Sequence, residues 1–258
     1  MISFFGEDCL KRSVVARVKE HQRLDQIIQG TYWDGARGCA IGCVLHSSDH
    51  MSYETQLGLP VFLAYMDEHI FERLPLEEAK GWPLRFIEAV PVGVDLELVF
   101  PRFMHWLLSD PGGMRKHANA KTLPIIDSLI SMYARRIEGI PFDAWAAGAA
   151  ARAAEAAAWA AAGAAALAAG AAAWAAVAEA GAAARAAGAA GAAEAAARAA
   201  GAAEAAAWAA VAAARAAYIN RQADYLIFLL QAYEPRPILV YAPCEQVSVS
   251  TLFREVET

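Results

Sequence analysis

A run of alanine constrains this chain more than any other feature. Residues 144–217 hold 52 alanines in 74 positions, and the 22 exceptions are only Trp, Gly, Arg, Glu, Leu and Val. Alanine is the best helix former, yet its methyl buries little apolar area, so the run is expected to be helical and to depend on the rest of the chain for packing. From Trp145 to Tyr218 the exceptions recur at steps of three or four, with only Glu179 off the series. That spacing lays them on one stripe of a helix. A straight helix of this length would reach about 110 Å at 1.5 Å per residue. Seven glycines interrupt the run, each costing about 1 kcal/mol against alanine. Bends near 163–170 and 181–191, giving a folded-back layer, are therefore expected over a rod.

The stripe admits three readings. In the first, Trp145, Trp159, Leu167, Trp174 and Val177, then Trp208, Val211 and Tyr218, dock the helices on the body, while Arg and Glu pair at the surface as Glu194 and Arg198 do at i,i+4. In the second the stripe lines a groove. Trp145, Trp159, Trp174 and Trp208 would stack on a planar group, and Arg152, Arg185, Arg198 and Arg215 would hold an anion, as a signalling nucleotide requires. In the third it is a seam between copies of the chain, since its mean step is that of a coiled coil. Arg and Glu on that seam oppose the third reading, because burying them is costly.

Outside the run the charge is 18 basic against 24 acidic side chains, the whole of the net −6. A mildly acidic body does not neutralise duplex phosphates, so no duplex nucleic-acid partner is expected. No stretch of 18 strongly apolar residues is present and the start lacks a signal-peptide pattern. No membrane partner is expected, and the four cysteines, without disulfide-like spacing, are expected to be free in a reducing cytoplasm.

Before the run, the periodicity predicts helices over 7–29, 39–46, 61–73, 100–108 and 121–137, with short helices starting at Pro75, Pro83, Pro91 and Pro101. After it, 218–233 regains a core-helix pattern and the tail is extended. The fold class is therefore all-α. It comprises a multi-helix N-terminal part at 1–142, the Ala-rich helices with a closing helix at 143–233, and an extended tail at 234–258.

Two clusters carry chemistry. Cys39, Cys43, His46 and His50 would share one face of a continuous helix, and thiolate and imidazole are the ligands that zinc prefers. The spacing matches no common zinc module, and Ser47-Ser-Asp interrupts the helix before His50. Cysteines packed at a helix crossing, or a reactive cysteine paired with His46 or His50, account for the same residues. The second set is His50, Tyr53, Glu54, Asp67, Glu68 and His69. It would converge for acid–base or metal chemistry if two short helices packed antiparallel, and otherwise consists of solvated polar positions. No phosphate loop, dinucleotide fingerprint or nucleophile elbow is present.

The segments Gly-Cys-Ala-Ile-Gly-Cys-Val-Leu-His from Gly38, Tyr-Glu-Thr-Gln-Leu-Gly-Leu-Pro from Tyr53, Ile-Phe-Glu-Arg-Leu-Pro from Ile70 and Ile-Glu-Ala-Val-Pro-Val-Gly-Val-Asp from Ile87 carry a resemblance. The chain resembles a group of uncharacterised bacterial and bacteriophage proteins that share this half and end in an Ala-rich helical repeat. The resemblance implies a viral or mobile-element setting and brings no activity. The leading expectation is a non-enzymatic helical binding protein that sequesters a small anionic or planar ligand or a host protein partner. A metal-dependent or thiol enzyme at the Cys/His cluster and a structural homo-oligomer are the alternatives.

Overall fold

The computed structural model describes residues 1–111, 113–140 and 190–233. They form an all-α protein, and among the described residues no β-strand occurs, only isolated bridges such as Ile27 with Gly38. The helices are α1 (Asp8–Arg23), α2 (Ala40–Leu45), α3 (Ser52–Leu57), α4 (Val61–Phe71), α5 (Leu76–Ala89), α6 (Val99–Ser109), α7 (Leu123–Ile137) and α8 (Ala190–Gln231). No helix among the described residues is long and apolar enough to cross a membrane.

The chain divides into two compact units. In the first, residues 1–103 with 219–233, the short helix α2 is the centre. All six of its residues are buried, and α1, α4 and α5 pack around it. A segment reading Ala-Ile-Gly-Cys-Val-Leu has no polar face to keep in water, so it is stable only when enclosed on every side. Trp82, Phe86, Ile87, Leu63, Ile70 and Phe71 complete this core. From α8, Ile219, Ala223, Leu226, Leu229 and Leu230 are buried, while Arg85 pairs with Asp224 at 2.5 Å. In the second unit, Met104–Tyr218, helix α7 buries Ile126, Leu129 and Tyr133, and Arg115 pairs with Asp127.

The start of the chain is tied to the segment after α5. The Ser3 hydroxyl, fully buried, donates to the Pro91 carbonyl at 2.6 Å and accepts from the Val94 N–H at 3.0 Å. Ser3→Ala would strand both groups, so a loss of about 1–3 kcal/mol is expected in urea unfolding; an unchanged midpoint would show that the two bonds contribute nothing.

Helix α1 stops six residues short of the expected 29, because Asp25 takes a left-handed turn at φ 52° and the chain then leaves the helix axis. Pro83 lies inside α5 rather than starting a helix. Cys39 and Cys43 are free and buried. Helix α8 runs unbroken through Gly191 and Gly201 for 42 residues. The expected bend at 163–170, the one at 181–191 as far as residue 189, and the tail from 234 lie outside the described residues.

Candidate functional site

The loop Thr31-Tyr-Trp-Asp-Gly-Ala-Arg-Gly lies directly on α2. The Cys39 N–H donates to the Thr31 carbonyl at 2.7 Å and to the Tyr32 carbonyl at 3.1 Å. This approach is possible because residues 38 and 42 are glycine. A Cβ on Gly42 would stand 1.6 Å from the Tyr32 carbonyl oxygen, and one on Gly38 would stand 2.2 Å from it. The Gly-x3-Gly spacing of the segment is thus a seat for backbone. Seated there, the loop sends two neighbouring aromatic residues into two different clusters.

Tyr32 enters the first. Its hydroxyl donates to Glu68, and that bond, ahead of the carboxylate's charge, raises its pKa to about 12. Glu68 Oε2 also accepts from His50 Nε2 at 2.7 Å. The His50 ring is stacked on Tyr65, with centroids 4.6 Å apart and planes 11° apart, and meets Tyr32 edge-on. One turn along, Glu72 takes the Gly30 N–H on both oxygens, at 3.0 and 3.2 Å. Burial holds its carboxyl above the ordinary value. Among the described residues neither Glu68 nor Glu72 forms an ion pair with lysine or arginine.

These groups line a cavity of about 170 Å³, bounded by Gly30, Thr31, Tyr32, Cys39, Glu68 and Glu72. Cys39 is its buried floor, 1% exposed, at the N-cap of α2. Burial pushes the Cys39 thiol up to about 11, although the N–H groups of Gly42 and Ile41 bond to its sulfur and oppose the rise. At neutral pH it is therefore a protonated thiol, not the thiolate that nucleophilic attack requires. Cys43 is not in the cavity. Its thiol donates to the Gly38 carbonyl at 3.3 Å, and burial raises it to about 12.

Trp33 enters the second cluster. It stacks on His46, with centroids 4.4 Å apart and planes 12° apart, and meets His21 edge-on. The two imidazoles touch Nε2 to Nε2 at 2.7 Å, and His21 Nδ1 bonds Gln26 Oε1 at 2.7 Å. An amide oxygen only accepts, so His21 carries its proton on Nδ1 and accepts from His46 Nε2–H. Burial, then the charges of Arg17 and His21, lowers the His46 pKa to about 4.

The expected Cys39–Cys43–His46–His50 face does not assemble as one set. Helix α2 ends at Leu45, and His46 caps it in the left-handed conformation at φ 55°. His46 consequently turns to His21 and His50 to Glu68. Among the described residues no three of His, Cys, Asp and Glu gather in metal-holding geometry.

The second expected set converges in part. Besides His50 and Glu68, Tyr53 donates to Asp67 Oδ2 at 2.8 Å, while Glu54 accepts from the Val61 N–H at 3.0 Å and His69 is exposed. Tyr32 and Glu72 were missing from that set; the aromatic pair just before the Gly-x3-Gly seat was the available sign of the first.

On the stripe, Arg198 and Arg215 are exposed and Trp208 is 64% exposed. Trp145, Arg152, Trp159, Trp174 and Arg185 lie outside the described residues. No family model, curated protein or solved structure matches this chain.

Proposed function

We propose that this protein binds a small molecule through a cationic group seated in the cavity of Tyr32, Cys39, Glu68 and Glu72. One observation carries the reading: two partly buried carboxylates share a wall, and among the described residues no lysine or arginine forms an ion pair with either. A desolvated anionic wall of this kind favours an ammonium, guanidinium or amidinium group, which donates several charged hydrogen bonds at once. The Tyr32 ring adds a face for the same charge. A volume of about 170 Å³ is below the roughly 300 Å³ at which pockets begin to hold drug-sized ligands. It suits a head group rather than a nucleotide, and its charge repels phosphate. The expected binding role is kept, with the sign of the ligand reversed.

Titration calorimetry with methylguanidine, ethanolamine and putrescine, against acetate and a nucleoside monophosphate, tests the proposal. At least one cation is expected to bind, and neither anion. Glu68→Gln and Glu72→Gln are each expected to weaken binding about tenfold, the loss of about 1.4 kcal/mol of charge-assisted hydrogen bonding. Silence of all three cations, or equal binding by both variants, removes the proposal. The exposure of Trp208 favours a second reading, self-association along α8, which a monomeric mass in concentrated solution would remove.

A further inference from the structure

The loop that walls the cavity is held on its other side by the second cluster. Tyr32 and Trp33 are adjacent, so the loop cannot leave His46 with Trp33 and keep Tyr32 fixed on Glu68. His46 in turn sits in a left-handed cap that few side chains adopt, its ring fixed between Trp33 and His21. The bond between the imidazoles needs one of the two Nε2 atoms without a proton, so a neutral or singly protonated pair keeps it. A second proton on the pair leaves both Nε2 atoms as donors and breaks the bond. A proton on His46 adds a positive charge close to Arg17 of α1. The charges that act on His46 are those of Arg17 and His21, and Glu20 of α1 acts on His21; Asp67 of α4 and Glu72 at its C-cap act instead on Cys39, at the other end of α2.

We infer that the His21–His46 pair, stacked on Trp33, is a proton-sensitive latch on the loop that walls the cavity, so that acid opens the cavity and exposes Cys39. The inference rests on the ligand-binding reading for what opening releases, and not for the opening itself. The closed state resists the proton that the open state accepts, so opening grows as pH falls from the ordinary histidine value of 6.5 toward about 4.

The test needs no ligand. Cys39 is labelled with dithiodipyridine, its adduct is located by peptide mass spectrometry, and rates are normalised to the denatured chain at each pH. In the wild-type protein, labelling is expected to rise about tenfold or more between pH 6.5 and pH 4 with the helical circular dichroism unchanged. His46→Asn, which tolerates the left-handed cap, is expected to label fast at pH 6.5 and to lose the pH step. Should that variant lose its helix signal, Trp33→Leu keeps both imidazoles and is expected to raise the rate at pH 6.5 as well. A flat wild-type profile, an intact pH step in His46→Asn, or loss of wild-type helix signal over the same range would overturn the latch. Failure of every amine to bind would leave this result standing, and the converse also holds, so the two proposals fail separately.

Discussion

Gly42→Ala is expected to lose about 3 kcal/mol or more of stability, the upper end of what overpacking a closed core costs. The added methyl would stand 1.6 Å from the Tyr32 carbonyl oxygen and 2.8 Å from its carbon, and both atoms are backbone that no rotamer change can move aside. Helix α2 cannot retreat, because all its residues are buried among α1, α4 and α5. The loop must therefore lift. Lifting breaks the bonds from the Cys39 N–H to the Thr31 and Tyr32 carbonyls and withdraws Tyr32 from Glu68 and Trp33 from His46. Gly81→Ala in α5 is the control, since its methyl would meet only Gln22 Nε2, at 4.0 Å. That change is expected to be neutral or to stabilise by up to about 1 kcal/mol, the helix-propensity gain. Urea unfolding followed by circular dichroism reads both. If the two alanine variants melt alike, the seat of the loop on α2 is not as tight as drawn.

The parts of this arrangement that were legible in the sequence are those written in local pattern. Ala-Ile-Gly-Cys-Val-Leu announced a buried helix, and observed α2 is buried on every side. The two polar pairs, His50 in the turn before α3 with Glu68 and Tyr53 of α3 with Asp67, follow from apolar periodicities that bring α3 and α4 together. What was not legible depends on single backbone choices. Only a continuous helix over 39–50 would put Cys39, Cys43, His46 and His50 on one face. One left-handed residue, His46, ends the helix and sends the two histidines to separate partners. Asp25 does the same to α1, which frees Gln26 to receive the His21 proton. Tyr32 and Glu72 come from a loop and a helix cap, where no periodicity exists to mark them. The alanine stripe fixed a period but not a neighbour, because methyl groups on all sides leave nothing to choose a face by. Arg198, Trp208 and Arg215 point to solvent in the described part of that helix.

The second large effect is electrostatic and concerns Asp67, which is fully buried and accepts from Tyr53 at 2.8 Å and from Trp82 Nε1 at 2.7 Å. Asp67→Ala strands both donors and leaves a void, and a loss of about 3–5 kcal/mol is expected. The pH dependence separates this role from packing. Burial raises the Asp67 pKa to about 7 despite the two hydrogen bonds, so between pH 4 and pH 7 the folded chain holds a proton that the unfolded chain has lost. Its contribution is therefore full below pH 4 and falls as pH rises toward 7, by up to about 1.4 kcal/mol per unit. His46, lowered to about 4, does the reverse. From pH 4 to pH 6.5 the unfolded chain holds the proton that the folded chain refuses, so stability rises with pH. The His46 slope is reduced by solvent screening at a half-buried site. The two slopes oppose each other over one window. Asp67→Asn, which preserves an acceptor for Trp82, is expected to lose stability toward acid more steeply than the wild-type chain, and His46→Asn to gain it. Urea midpoints measured at half-unit intervals from pH 4 to pH 7 give both differences. Parallel curves for all three chains would mean that neither group changes its protonation on folding.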